Sequence, residues 1–133
     1  MSNVSLFRLY LMRAVYLMNF VLMGLDVWPA LLTHSGAWGP TEGAAYSLWA
    51  ALSLLSVVGL KYPLQMLPLL LFQVAYKIVW LLFVAWPNWE SIKSSDLMQV
   101  MFIGLVIDLV IIPWAYVFRS YILAKGDRWR RED

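Results

Sequence analysis

The chain has 133 residues, of which 62% are hydrophobic and only 14% charged, against about a quarter charged in an ordinary soluble domain. So much apolar surface needs lipid to cover it, and the length suits one domain of four helical spans at about 20 residues each. The absence of cysteine excludes disulfides and thiol redox chemistry, and a single histidine, His34, argues against a multi-histidine metal or haem site within one chain. The net charge of +2 says little by itself, the positions of the charges carry the information, and no nucleic-acid partner is expected.

The expected fold is therefore all-α: an integral membrane four-helix bundle with antiparallel up-down topology. The first span covers about residues 7–27; it is retained, because no small-residue cleavage site follows it. "DVWPALLTHSGAWGPTEG" reads as a loop from its turn-forming residues. The second span covers about residues 44–60, and "GLKYP" then turns the chain, with Pro63 in the first turn of the next helix. The third covers about residues 64–86, "WPNWESIKSSD" separates it from the fourth at about 97–119, and a basic tail fills 120–133. Pro68 and Pro113 are expected to kink their helices and open a pocket in the half they share.

Lysine and arginine placement sets the orientation. Arg8, Arg13, Lys61, Arg119, Lys125, Arg128, Arg130 and Arg131 fall on one side, and only Lys93 on the other. Both termini and the second loop are thus expected in the cytoplasm. Six tryptophans (Trp28, Trp38, Trp49, Trp80, Trp86 and Trp89) lie toward the outer side. Interfacial anchoring accounts for most of them; an aromatic-walled mouth is the second explanation.

Helical spacing gathers polar groups into one stripe per helix. The stripes are Tyr16, Asn19, Met23 and Asp26; Tyr46, Trp49, Ser53 and Ser56; Gln73, Tyr76, Lys77 and Trp80; and Met101, Gly104, Asp108, Ile111 and Ala115. At a rise of ~1.5 Å per residue, Asn19, Ser53, Gln73, Tyr76, Lys77 and Asp108 fall within roughly 5 Å of one plane. An unpaired charge at the bilayer centre costs about 2.5–3.5 kcal/mol on insertion scales. An ion pair or shared-proton pair between Lys77 and Asp108 is therefore predicted, assisted by Gln73, Tyr76 or Asn19. Such a pair either locks helices together or receives a ligand or proton. A second candidate set, Asp26, His34 and Glu42, lies in or beside the outer loop, where it can bind a divalent cation or do acid–base chemistry. Its spacing matches no metal motif, and Glu42 also suits the start of helix 2. Ser53 and Ser56 read as self-bonded packing residues. The tail reads first as a topogenic anchor and second as a binder of anionic headgroups, its basic charge diluted by Asp127, Glu132 and Asp133.

The Arg-led first helix ending in "MGLDVW", the second ending in "VVGLKYP" and the stretch "LQMLPLLLFQVAYK" resemble the DoxX-like group of small four-helix bacterial membrane proteins. The resemblance implies a bacterial inner-membrane protein, with a respiratory or accessory-subunit role. The sterol-isomerase-like group also places acids, tryptophans and histidine inside a four-helix bundle, but here the only histidine is in the outer loop.

Together these features favour a non-enzymatic protein. It would bind a small hydrophobic ligand (a lipid, quinone or isoprenoid) or serve as an accessory subunit or homodimer in a membrane complex. Next comes a proton- or ion-coupled transporter or channel using Lys77 and Asp108. An intramembrane enzyme comes last, since no nucleophile–base pattern is present. No metal or prosthetic cofactor is expected.

Overall fold

The computed structural model describes residues 4–130, and every regular element among them is helical. Ser5 starts helix α1, its hydroxyl accepting from the Arg8 amide at 3.1 Å. α1 then runs Leu6–Thr33, 28 residues, with a π-helical stretch at Asn19–Met23. It extends six residues past the expected end at residue 27, so "DVWPALLT" is helix and the loop shrinks to residues 34–39. Pro29 forfeits a single backbone bond, and Val27 is buried just before it. The Thr33 hydroxyl donates to the Pro29 carbonyl at 2.6 Å and ties down the last turn.

The π stretch adds a residue to one turn and so rotates the remainder of the helix about its axis. Gly24 and Val27 consequently face inward, and Asp26, expected on the polar stripe, is exposed.

Helix α2, Pro40–Lys61, begins with proline after Gly39, has Glu42 in its first turn and ends on a lysine, each favourable at that terminus. Helix α3, Leu67–Ala85, is preceded by a turn that contains Pro63. The proline in its first turn is Pro68, not Pro63, so no kink arises there: that amide would have had no helical partner anyway. A single-turn helix, α4 (Trp89–Ile92), interrupts the next loop. Ser95 then caps α5, Asp96–Ile111, by accepting from the Met98 amide at 3.1 Å.

The expected continuous span over 97–119 is broken. Proline disfavours the helical conformation in the residue before it, and Ile112 is extended with φ −60° and ψ 130°. The chain resumes as α6, Trp114–Leu123, a single α-helical turn that continues as a π-helical stretch at Phe118–Leu123, at 74° to α5, so the first residues of the expected tail are helical. Arg131, Glu132 and Asp133 lie outside the described residues.

By length and composition, α1, α2 and α3 can each cross a membrane, and α5 with α6 makes a fourth candidate only as a bent pair. The helices pack as two hairpins: α1 lies along α2, α3 lies along α5, and contacts between the pairs are fewer. Met12, Val15, Tyr16, Leu67, Leu70, Val74, Leu105, Ile112 and Val117 form the apolar core, near the end that carries the α2–α3 turn. This is the half that the prolines were expected to open. It is closed, because Pro68 only starts a helix and the Pro113 break is filled by Ile112 and Val117.

Candidate functional site

Lys77 and Asp108 meet on the facing sides of α3 and α5, Nζ to Oδ2 at 2.9 Å, with side chains only 8% and 2% exposed. Gly104, one turn before Asp108, makes room: a β-carbon there would lie 2.6 Å from the ammonium nitrogen. The expected assistance from Gln73 and Asn19 goes elsewhere. Asn19 Nδ2 donates to Gln73 Oε1 at 2.9 Å and Gln73 Nε2 donates back to Asn19 Oδ1 at 3.3 Å. This reciprocal amide pair joins α1 to α3, so the polar centre consists of two closed pairs and not one network. Lys77 Nζ also lies 6.0 Å from the centre of the Tyr76 ring, which links the ion pair to an aromatic wall between α2 and α3.

The serines divide. Ser56 donates to the Leu52 carbonyl of its own helix at 2.8 Å, as expected. Ser53 is not self-bonded: its hydroxyl crosses to the Phe20 carbonyl in the π stretch of α1 at 3.1 Å. Nearer the turn, the buried Tyr16 hydroxyl donates to the Pro63 carbonyl at 2.9 Å, and Arg13 Nε donates to the Leu60 carbonyl at 2.9 Å. Among the described residues no buried side-chain nitrogen or oxygen lacks a partner. A cluster so satisfied holds its geometry strongly.

A cavity of about 490 Å³ opens between α2 and α3 in the half opposite the apolar core. Ala45, Leu48, Trp49 and Leu52 line it from α2; Phe72, Ala75, Tyr76, Val79, Trp80 and Val84 from α3; and Met101 from α5. It is a half-open, almost wholly apolar cleft with four aromatic rings in its wall. Tyr76 and Trp80 are the candidate residues it includes; Lys77, Asp108, Gln73, Asn19 and Ser53 lie outside its lining. Phe72, Ala75 and Leu48 were missed in the sequence. The available signals were the spacing Ala45, Trp49, Leu52 along one face and the small residue at 75 beside two aromatics.

The outer trio does not assemble. Asp26, His34 and Glu42 are all exposed, and no group of three potential ligands is close enough to hold a metal among the described residues. Asp26 sits within α1 and Glu42 within α2, because both helices reach further into the expected loop. His34 instead stacks on Trp38 with centroids 3.7 Å apart and planes 14° apart. Trp38 reaches Tyr46 at 5.1 Å and Tyr46 reaches Trp49 at 5.6 Å, a ladder of rings from the loop to the cleft wall.

Comparison with protein-family models, with curated proteins and with solved structures returned no match.

Proposed function

We propose that this chain is a membrane-embedded four-helix protein that binds a small hydrophobic ligand in the cleft between α2 and α3. In this reading α1, α2, α3 and α5 cross the bilayer up and down, with both termini on the cytoplasmic side where the basic residues collect. Exposed leucine, valine and phenylalanine side chains on the long helices, such as Leu22, Leu54 and Phe83, then face lipid.

The observation that carries the proposal is the cleft itself. A volume of about 490 Å³ falls in the range of small-molecule sites. Its walls offer Trp49, Trp80, Phe72 and Tyr76 and almost no polar surface. Such a lining favours an isoprenoid or acyl chain, or the ring of a quinone. In this reading the chain is also a DoxX-like protein of the bacterial inner membrane, a setting that would supply a respiratory lipid of that kind. Lys77 and Asp108 act in this reading as a latch that fixes α3 against α5, because each already has its partner and neither lines the cleft.

The test is to purify the chain in mild detergent and extract the lipids that accompany it. One isoprenoid, quinone or lipid class should be enriched over the bulk membrane extract. Ala75→Trp fills the cleft from a position that is exposed, so folding should survive and the enriched class should be lost. Equal enrichment in the parent and in Ala75→Trp would refute binding in the cleft.

A further inference from the structure

α5 rises only about 24 Å over its 16 residues at 1.5 Å per residue, several Å short of a hydrocarbon layer about 30 Å thick. A straight continuation would complete the crossing, but the axis turns by 74°. The turn is fully built. Carbonyls at the end of a helix lose their partners in the ladder; here Asp108 keeps its ladder bond and the three carbonyls after it each find a side-chain donor. Asp108 accepts from the Ile112 amide at 3.0 Å, and Leu109 from Trp114 Nε1 at 2.7 Å. Val110 and Ile111 accept from Arg8 Nη1 at 2.6 and 3.0 Å. Arg8 also brings positive charge to a helix C-terminus, the favourable end for it.

Beyond the turn, α6 is one α-helical turn, Trp114–Val117, followed by a π-helical stretch, Phe118–Leu123, and it carries Trp114, Phe118, Tyr121, Ile122 and Leu123 with Arg119 and Ser120 among them. Val117 reaches the core, while Phe118, Tyr121 and Ile122 are 50%, 49% and 65% exposed. Behind them Lys125, Arg128 and Arg130 are exposed and Trp129 is completely so, with Asp127 the one carboxylate among the described residues of this segment. Half-exposed aromatics beside arginine, leading into a cationic stretch, are the composition of a helix lying in a membrane interface.

We propose that α6 and the segment behind it form an arm that lies along the membrane surface and binds anionic lipid headgroups. This rests on the reading of the chain as membrane-embedded. Charge complementarity selects the occupant: from residue 119 onward the sequence carries five cations (Arg119, Lys125, Arg128, Arg130 and Arg131) against three carboxylates (Asp127, Glu132 and Asp133), and among the described residues four cations stand against one carboxylate. Its exposed aromatic and aliphatic side chains enter the boundary between headgroups and acyl chains. The arm replaces the missing last turns of a fourth span, and Arg8 and Pro113 set its angle.

The chain has no cysteine, so single cysteines can carry a polarity-sensitive fluorophore without background. Phe118→Cys, Ile122→Cys and, as a control in the middle of α2, Leu54→Cys are introduced separately into the full chain. Each is reconstituted in phosphatidylcholine vesicles with and without phosphatidylglycerol, carrying lipids spin-labelled at shallow or deep positions. Labels at 118 and 122 should both be quenched best by the shallow spin label and to the same extent, and the label at 54 by the deep one. A steady change of depth from 118 to 122 would mean a continuing span and overturn the arm. No quenching at 118 and 122, with deep quenching at 54, would place the arm in water and overturn it while leaving the membrane reading intact. No quenching at 54 would overturn the membrane reading and the arm with it. For the headgroups, R119Q/K125Q/R128Q/R130Q is compared with the parent by the preference for spin-labelled phosphatidylglycerol over phosphatidylcholine. The preference should fall by about fivefold or more and weaken with salt in the parent. An unchanged preference overturns the anionic-lipid assignment.

Discussion

The α1–α2 and α3–α5 hairpins both bring two apolar helices into close contact, and they do it with different chemistry. In the first, contact is made by shape and by hydroxyl-to-backbone bonds. Gly59 lies so near the ring of Tyr16 that a β-carbon there would come within 2.5 Å of it, and Ser53 bonds the Phe20 carbonyl. In the second, a glycine also marks the closest approach, but what approaches Gly104 is the tip of Lys77 on its way to Asp108. Small residues and van der Waals contact are the ordinary means of helix association in lipid. A buried ion pair is a poor stabiliser compared with packed apolar groups, yet breaking one is costly because a charge is left alone. The second hairpin is therefore the more vulnerable to a single substitution and the more tolerant of a matched double one.

The largest expected effect tests that contrast. Asp108→Leu leaves Lys77 buried without a counter-charge and should destabilise the protein by about 3–5 kcal/mol, read as a lower midpoint of unfolding in detergent. Lys77→Met together with Asp108→Leu should recover most of this loss. If the double variant is as unstable as the single one, the pair does more than neutralise itself.

In the first hairpin, Gly59→Ala should cost about 1–3 kcal/mol, since the ring of Tyr16 is fully buried and cannot swing away. Gly104→Ala should cost less, because the atom it meets ends a flexible side chain. Equal losses at the two glycines, measured by the same unfolding assay, would erase the distinction between the hairpins.

The seam between them gives the next effect. Arg8→Ala strips two carbonyls at the end of α5 of their partner and should cost about 1–2 kcal/mol. Pro113→Ala restores the backbone ladder that those carbonyls lack, so the Arg8 substitution should matter less in that background. An undiminished loss there would separate the role of Arg8 from the break.

Smallest of all should be the amide pair. Asn19→Leu alone is expected to cost about 0.6–1 kcal/mol, and Asn19→Leu with Gln73→Leu close to nothing. A large loss in the double variant would make the Asn19–Gln73 bond the main tie between hairpins.

Much of this arrangement was legible in the residues. Apolar runs located the long helices, and the shared level of Lys77 and Asp108 gave their pairing, because an isolated charge is excluded from so apolar an interior. Helix ends were less legible: α1 runs on to Thr33 through turn-forming residues, and Pro40 and Pro68 begin helices where proline also suits a loop or a kink. The register of α1 was hidden as well. Nothing in "MNFVLMGLD" announces the π stretch that turns Asp26 outward and Gly24 inward.

The sequence by itself determined the class of interior, the helical repeat and the need for Lys77 to find Asp108. These come from hydrophobicity, side-chain spacing and the cost of desolvating a charge. Only the tertiary structure decided that Asn19 and Gln73 satisfy each other, that Arg8 completes the end of α5, and that the cleft opens between Trp49 and Trp80 and not beside the prolines. Those outcomes depend on how residues tens of positions apart compete for the same few donors and the same volume, which no local pattern records.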